Sequence, residues 1–342
     1  MWLLVFKSSH EGEVMFKNKF RARRTVFWIF FASYVFVIGA ANAQSEFPIA
    51  YSSLGGTYGF IPLIQEQKFL EQEGIRPAFV YIGGPQISQA LVSGDVRMAI
   101  VAGASPIRAA AHGADIRFVG GVTDKENITV IADKKITKPA DLKGTRMAID
   151  RLGDYSDFRA RKVLEHYGLE AQKDVILLQI GGQTARFAAL RSGQVQSTFV
   201  APPLTLIAAN AGFRRLIDLA DLGFPSTSAS IVVMKSTAEK QEKEVYGVLR
   251  AIFRALRLFK GNRDAAIRSL ARFMKVNDAE ALDETFRSHA KIFQDIPVPA
   301  VAGIKMVKDF LGQTDPKVAK LNVDEIIDMR FVDKLRRELP SK

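Results

Sequence analysis

Two stretches of the sequence share one pattern: SGDVRMAIVAGAS at residues 93–105 and SGQVQSTFVAPPL at residues 192–204. Each begins with Ser-Gly-polar-Val, continues through an apolar run that is typical of a strand, and ends in a turn of small residues or prolines. The second begins 99 residues after the first. Because a glycine commonly ends a helix, each stretch predicts a helix end, a strand and a turn.

The repeat is wider than these two stretches. IGGPQISQALVSGDVRMAIVAGAS, from Ile82, aligns with IGGQTARFAALRSGQVQSTFVAPP, from Ile180, with one extra residue in the second copy before Ser192. Any two βαβ units share part of such a pattern, which is the alternative explanation. We favour two lobes built from the same parts in the same order.

Short β-rich runs alternate with helical stretches from Phe47 onward, which is typical of an α/β protein. One helix is predicted over residues 63–73. After SASIVVMKS the pattern is helical only, with helices predicted over residues 238–260, 263–274, 278–290 and 301–311. Helices without strands cannot extend a parallel sheet, so they should pack on an existing lobe.

The predicted fold class is therefore α/β, with two βα-repeat lobes joined by a two-segment hinge and C-terminal helices packed on the first lobe. We expect lobe I to comprise residues 44–125 and 229–342, and lobe II to comprise residues 126–228. The short polar segments TDKEN (residues 123–127) and STS (residues 226–228) suit a hinge.

The N-terminal 43 residues have the features of a secretory signal peptide. Basic KNKFRARR precedes an apolar run over residues 26–38, and Ala41 and Ala43 occupy the positions of a small-residue cleavage site. An uncleaved anchor is the alternative, but about 13 apolar residues are short for a bilayer span, which needs roughly 20. Met15 could itself begin a conventional signal.

Composition excludes several classes of protein. The net charge is +12, and the first 43 residues hold six of the 48 basic and two of the 36 acidic residues, which leaves +8. The remaining basic residues are scattered, so we expect no nucleic-acid partner. Cysteine is absent, which excludes disulfides, thiolate metal sites, cysteine nucleophiles and a lipid-modified N-terminal cysteine. We expect a periplasmic monomer without lipid anchor, cofactor or metal.

Four motifs carry a family resemblance: IPLIQEQKFLEQEGIRPAFV, GGPQISQALVSGDVRMAI, ITKPADLKGTRMAI and ALRSGQVQSTFVAPP. With them, the chain from Gln44 onward resembles the solute-binding proteins of ABC importers of the nitrate/sulfonate/taurine type, which have the type II periplasmic binding protein fold. One departure is that Arg97 and Gln196 stand where the family often has Asp.

The resemblance implies a substrate-binding subunit, not an enzyme, that captures a small anionic or carbonyl-bearing solute and delivers it to an ABC permease in the inner membrane. A ligand-binding sensor subunit is one alternative. Another is an enzyme on the same fold, similar to thiamine-pyrimidine synthases or menaquinone-pathway lyases. None of the four histidines has a recognisable catalytic spacing from a serine or an acid, so no catalytic residue is predicted.

Ligands of such sheets bind beyond the carboxyl ends of the strands, where helix N-termini offer N–H groups. The candidate ligand-binding residues lie in the turns after predicted strands and in the hinge. They are Ser52, Ser53, Thr57, Tyr58, Gly84, Pro85, Ala104, Ser105, Asn127, Arg151, Asp154, Tyr155, Ser156, Pro202 and Ser228.

The segment DRLGDYSDF, residues 150–158, is the main candidate in the second lobe. Asp154 or Ser156 is predicted to be a helix N-cap, so that backbone N–H groups of residues 155–158 can meet an anionic oxygen. Arg151 either contacts the ligand or forms a surface salt bridge. Tyr155 either closes over the ligand or packs half-buried.

Overall fold

The computed structural model describes residues 46–83 and 86–338. The predicted signal peptide and two candidate ligand residues, Gly84 and Pro85, lie outside the described residues. Within the described ranges no helix is long and apolar enough to cross a membrane.

The first sheet has five strands: β1 (Glu46–Tyr51), β2 (Arg76–Tyr81), β3 (Met98–Val101), β4 (Ile116–Gly121) and β10 (Ser230–Met234). Their order is β2-β1-β3-β10-β4. β1 is parallel to β2 and β3, whereas β10 is antiparallel to both β3 and β4. β10, which lies between β3 and β4, is therefore separated from them in the sequence by the whole second sheet.

The second sheet also has five strands: β5 (Thr129–Ala132), β6 (Thr145–Ile149), β7 (Val175–Gln179), β8 (Ser197–Val200) and β9 (Arg214–Asp218). Their order is β7-β6-β8-β5-β9, with β6 parallel to its two neighbours and β5 antiparallel to β8 and β9. Position for position, this arrangement matches the first sheet. The predicted two-lobe α/β fold class is confirmed.

The chain passes between the sheets twice, over residues 122–128 and residues 219–229. The two passages run side by side, because Lys125 forms an antiparallel bridge with Pro225 and the backbone N–H of Ser226 donates to the carbonyl of Asp124 over 2.9 Å. Both predicted hinge segments lie in these passages.

Helices between the strands of the two sheets are α1 (Ile61–Glu66), α2 (Phe69–Gln72), α3 (Gln86–Ser93), α4 (Ala104–Ala111), α5 (Tyr155–His166), α6 (Gln183–Arg191) and α7 (Leu204–Asn210). The single helix predicted over residues 63–73 is wrong. It is interrupted between α1 and α2, where Lys68 has a left-handed backbone with φ of 51°.

Helices after β10 are α8 (Lys235–Lys240), α9 (Glu242–Gly261), α10 (Arg263–Met274), α11 (Ala279–Ile292), α12 (Val301–Gly312), α13 (Pro316–Ala319), α14 (Val323–Ile326) and α15 (Arg330–Glu338). The helix predicted over residues 238–260 is divided at Gln241 into α8 and α9. The last three helices were not predicted.

The long helix α9 supplies much of the core of the first lobe. Its Leu249, Ile252 and Phe259 are fully buried in one cluster with Ile49 of β1 and Ile231 of β10. The apolar residues of α9 are spaced so that they lie on one face of the helix, and that face packs against the sheet. Part of the C-terminal region also reaches the second lobe, since α11 contacts α7.

The repeated sequence forms repeated structure. Gly94 and Gly193, 99 residues apart, follow α3 and α6 with φ of 84° and 76°, the left-handed region that favours glycine. Their N–H groups donate to the carbonyls of Leu91 and Leu190 over 3.2 and 3.1 Å. Each glycine turns the chain out of a helix and into a buried strand.

Arg97 and Gln196 lie at the amino ends of β3 and β8. The backbone N–H of Arg97 donates to the carbonyl of Pro48, and that of Gln196 donates to the carbonyl of Arg146, each over 2.9 Å. The two residues therefore occupy equivalent positions in the hydrogen-bond ladders of the two sheets. The departure from the family pattern therefore falls on the edge opposite the carboxyl ends where a ligand would bind.

Replacing Gly193 with Ala tests the backbone requirement of this turn. No atom lies within 4 Å of an added Cβ, so the loss should reflect the positive φ alone. We expect the free energy of unfolding in urea to fall by about 1 kcal/mol. Gly261→Ala is the control, because Gly261 ends α9 with equally open space but without positive φ. This control should be neutral or stabilising. Equal effects at both sites would contradict the prediction.

Candidate functional site

Loops at the carboxyl ends of strands from both sheets approach one another. Arg108 of α4 donates from Nη2 to the carbonyl of Gly153, which follows β6, over 2.9 Å. Gln183 Nε2, at the start of α6, lies 3.9 Å from where a Cβ on Gly55 would stand. These contacts define a cleft between the two lobes.

A cavity of about 890 Å³ lies between α3 and α4 of the first lobe and residues 151–154 of the second. Four of the predicted ligand residues line it: Ala104, Ser105, Arg151 and Asp154. Arg108 and His112 also line it and were not predicted. The cavity is therefore walled by both lobes and carries positive side chains from each.

The loop after β1 is held by its own hydroxyl groups. Ser53 Oγ accepts from the N–H of Gly55 over 3.1 Å, and Thr57 Oγ1 lies 3.3 Å from Nε2 of His289. Ser52 and Ser53 are both partly exposed. The loop presents them beside Gly55, at the point that faces the second lobe.

Tyr58 supports this loop from beneath. Its side chain is 2% exposed, and its hydroxyl donates to the carbonyls of Ile100 and Ser228 and shares a 2.9 Å hydrogen bond with Ser52 Oγ. Burial raises the pKa of this hydroxyl to about 12. The prediction that Tyr58 contacts ligand is corrected, because its polar atom is already used within the fold.

The start of α5 has the predicted N-cap. Asp154 Oδ1 accepts from the backbone N–H groups of Ser156 and Asp157 over 2.7 and 3.2 Å. Ser156 Oγ also donates to Asp154 and accepts from the N–H of Asp150 over 2.8 Å. These N–H groups and the Ser156 hydroxyl are therefore occupied by protein atoms. The predicted use of this helix start as a donor site for a ligand is corrected to that extent.

Tyr155 packs in the interior and does not close over the cleft. It is 6% exposed, and its hydroxyl donates to Glu126 Oε1 over 2.5 Å and accepts from the N–H of Thr227 over 3.0 Å. Arg159 donates to the other Glu126 oxygen from Nε and Nη2 over 3.1 and 2.9 Å. Burial, followed by the Glu126 charge, raises the pKa of Tyr155. We name these three side chains, Glu126, Tyr155 and Arg159, the hinge cluster.

Asn127 and Ser228, predicted at the floor of the cleft, are both half-buried in the passages. Asn127 Nδ2 lies 3.2 Å from Nε2 of His289, and Ser228 Oγ lies 3.1 Å from Thr123 Oγ1. His289 is fully buried, and burial lowers its pKa to about 4, so this ring is neutral near pH 7.

The second lobe adds residues that the sequence reasoning missed. Gln183 Oε1 accepts from the N–H of Ala201 over 3.2 Å, which fixes its side chain between the ends of β7 and β8. Arg186, one turn along α6, is 6% exposed. Pro202, which is one of the predicted ligand residues, is buried next to Ala201. The signal for Gln183 was available, since it follows Gly181-Gly182 at a predicted helix start.

The described residues contain no group of three or more His, Cys, Asp or Glu side chains that could hold a metal ion. The polar groups around the cleft are suited to hydrogen bonding and to charge pairing with an organic or inorganic anion.

Replacing Tyr155 with Phe should lower the free energy of unfolding by about 2–3 kcal/mol, because the buried Glu126 loses a donor and the Thr227 N–H loses an acceptor. Urea denaturation measures this loss. Tyr167→Phe, at a tyrosine that is 37% exposed, should change stability by less than about 0.5 kcal/mol. An equally small change at Tyr155 would mean that Arg159 alone satisfies Glu126.

His289 should make stability depend on pH. Its folded pKa is lowered to about 4 from the ordinary 6.5, so the unfolded chain takes up the proton first as pH falls. The free energy of unfolding should decrease between about pH 6.5 and pH 4, by up to about 3 kcal/mol from this residue. His289→Gln should flatten this part of the profile, and His166→Gln, at an exposed position, should not. An unchanged slope in His289→Gln would contradict the assignment.

Comparison with known proteins supports the same architecture. A protein of Escherichia coli strain K12, described as an aliphatic sulfonates-binding protein, is 28% identical over 246 residues, which cover 70% of this chain and 75% of the relative. The alkanesulfonate-binding protein SsuA from Xanthomonas axonopodis pv. citri, solved bound to MOPS, superposes with a TM-score of 0.69. It is 22% identical and covers 85% of this chain and 100% of its own.

The same fold is also found in an enzyme. The desulfurization enzyme DszB superposes with a TM-score of 0.64 at 17% identity, covering 86% of this chain and 100% of its own. Likeness at this level of identity establishes the fold alone.

The sequence model of the NMT1/THI5-like family matches residues 60–266, which is more than half of the chain. The matched region runs from α1 to α10 and so includes both passages and the second sheet. The resemblance to solute-binding proteins of the nitrate/sulfonate/taurine type is confirmed in family and fold, and the chain belongs to the NMT1/THI5-like family.

Proposed function

We propose that the protein is the substrate-binding subunit of an ABC importer, which captures a small solute between its lobes and delivers it to a membrane permease. The observation that carries this proposal is the cavity of about 890 Å³ with walls from both lobes, joined across it by Arg108 and Gly153. A solute held by both walls favours the closed arrangement, which is what a permease would recognise.

The solute is anionic in this proposal. Arg108 and Arg151 line the cavity from opposite lobes, and Arg186 lies buried at the second-lobe edge. The Escherichia coli relative is described by its binding of aliphatic sulfonates, which combine one negative charge with a short apolar chain. Exposed apolar side chains, Val92 and Leu152, line the same cavity and would suit such a chain.

In this proposal the two lobes predicted from the sequence move relative to each other. Lobe I comprises residues 44–125 and 229–342, and lobe II comprises residues 126–228. The N-terminal 43 residues would direct export and be removed, so that a monomer without lipid anchor works in the periplasm. The permease is the second partner, and neither a metal nor a cofactor takes part in the proposal.

Binding is favoured over catalysis, although DszB demonstrates that the fold can support an enzyme. The chain has no cysteine for a thiolate nucleophile. His289, the buried histidine near the cleft loop, is held neutral among Thr57, Asn127 and Ser288 rather than beside a carboxylate. A sensor subunit would use the same cleft, and co-purification with a permease separates these two roles.

The test is a melting-temperature and scattering experiment on residues 44–342. Butanesulfonate, taurine, nitrate and inorganic sulfate are compared with butyl methyl sulfone, an uncharged analogue of similar size. A solute present at about 100 times its Kd should stabilise the protein by about 2.7 kcal/mol and decrease the radius of gyration as the lobes close.

Failure of every anion to raise the melting temperature or to change the radius of gyration would contradict the proposal. Recovery of each solute is followed by mass spectrometry after prolonged incubation. Turnover of a bound solute would favour the enzyme alternative, and unchanged solute supports the capture protein.

A further inference from the structure

Arg186 is a buried cation at the second-lobe edge of the cleft. It is 6% exposed, and its guanidinium donates from Nη1 to the carbonyl of Gly181 over 2.7 Å and from Nη2 to the carbonyl of Phe199 over 3.3 Å. Gly181 follows β7 and Phe199 lies near the end of β8. The guanidinium is therefore fixed at the carboxyl edge of the second sheet, beside the N-terminus of its own helix.

One donor of this guanidinium is unused. Arg186 Nε is buried and has no hydrogen-bond partner among the described residues. Buried donors are nearly always paired, and leaving one unmet costs free energy. This atom therefore lacks an acceptor that the polypeptide around it does not supply.

The N-terminus of α6 lies beside that donor and is also without a side-chain cap. Its N-cap residue is Gly182, which offers no acceptor to the N–H groups of the first turn. No atom lies within 4 Å of a Cβ placed on Gly181 or Gly182, so the space in front of the turn is open. Across that space Gln183 faces Gly55 of the first lobe.

The turn before α6 adjoins the cavity wall formed by residues 151–154, because the N–H of Gly181 donates to the carbonyl of Asp150 over 3.2 Å. Resting on the proposed function, we propose that Arg186 Nε and the first-turn N–H groups of α6, beside that wall, form the receptor for the oxyanion head of the solute. A helix N-terminus and an arginine both favour negative charge, and both donate along fixed directions to tetrahedral oxygens. A ligand oxygen would accept a hydrogen bond from Arg186 Nε. Binding would therefore remove the free-energy cost of leaving this buried donor unpaired.

The surroundings also specify the charge of that head. Asp150 lies against this turn, because its carbonyl accepts from the N–H of Gly181 over 3.2 Å. Burial lowers the pKa of Arg186 to about 10, and the charges of Asp150 and Asp154 act in the opposite direction. The Arg159 charge acts in the same direction as burial, but Arg159 is itself paired with Glu126. The same two aspartates would repel a second negative charge on a ligand. The receptor is therefore assigned to a singly charged oxyanion such as a sulfonate, in preference to a doubly charged phosphonate.

The binding test compares wild-type protein with Arg186→Gln by isothermal titration with butanesulfonate and butylphosphonate. Loss of a charge-assisted hydrogen bond should weaken butanesulfonate binding about 10- to 100-fold. Arg191→Gln, at the exposed end of the same helix, is the matched control and should bind like wild type. Wild type should prefer the sulfonate more strongly at about pH 9, where the phosphonate carries two charges, than at about pH 6.

A purely structural role for Arg186 would lower stability, but the folded variant would still bind butanesulfonate like wild type. The affinity of the folded variant for butanesulfonate is therefore the deciding measurement, and circular dichroism establishes that Arg186→Gln is folded. If the folded variant binds butanesulfonate like wild type, the receptor is overturned while the proposed function stands. The preference between the two anions should persist in the variant, because Asp150 and Asp154 remain.

The ¹⁵N resonance of Arg186 Nε in the wild-type protein supplies a test that needs no variant. Methanesulfonate, the head group with a single methyl, should shift this resonance in a saturable way, and sodium chloride at matched ionic strength should not. If wild type binds neither butanesulfonate nor the other three anions, the proposed function fails, and this resonance alone decides the receptor. A shift supports it and an unchanged resonance overturns it.

Discussion

A buried carboxylate at the point where the chain leaves the first sheet constrains both lobes. Glu126 is 4% exposed, and an unpaired charge there would cost several kcal/mol in lost solvation. Tyr155 and Arg159, both on α5, satisfy its two oxygens, and the Tyr155 hydroxyl also accepts from Thr227 in the other passage. The hinge cluster thus ties both passages to the start of α5. The loop just before α5 forms the second-lobe wall of the cavity, so the shape of the cavity depends on this cluster.

The repeat could be predicted from the sequence because its determinants are local. A glycine that leaves a helix with positive φ, followed by a buried apolar run, forms the same turn at Gly94 and at Gly193. The burial of Tyr58 could not be predicted in this way, because its hydroxyl is fixed by Ser228, 170 positions away in sequence. The break at Lys68 was missed for a similar reason: helical periodicity continues through it, while the backbone turns to bring α2 against β2.

Several candidate ligand residues lie together in the structure, and their contact with a solute stays a prediction. Ala104, Ser105, Arg151 and Asp154 do line one cavity, since strand ends were recognisable from the sequence. The start of α5, which the sequence favours as the anion donor, has fewer free N–H groups than expected. Asp154 made the start of α5 easy to recognise, yet a capping side chain occupies the N–H groups that it marks. At α6 the N-cap is Gly182, which leaves a weaker sequence signal and a freer helix end.

Two polar contacts between the lobes away from the hinge cluster involve exposed side chains, which suits the proposed opening and closing of the lobes. Arg108 is 38% exposed where it reaches across to Gly153, and Arg215 is 46% exposed where it pairs with Glu284 of α11. Exposed pairs of this kind contribute about 1 kcal/mol or less, so these contacts alone cannot commit the molecule to the closed arrangement. In the proposed function, a solute held by both walls adds its own binding free energy to that balance and shifts it towards closure. The buried Glu126–Arg159 pair lies at the passages and these exposed contacts lie at the rim, so in the proposed function closure responds to occupancy without disrupting the hinge cluster.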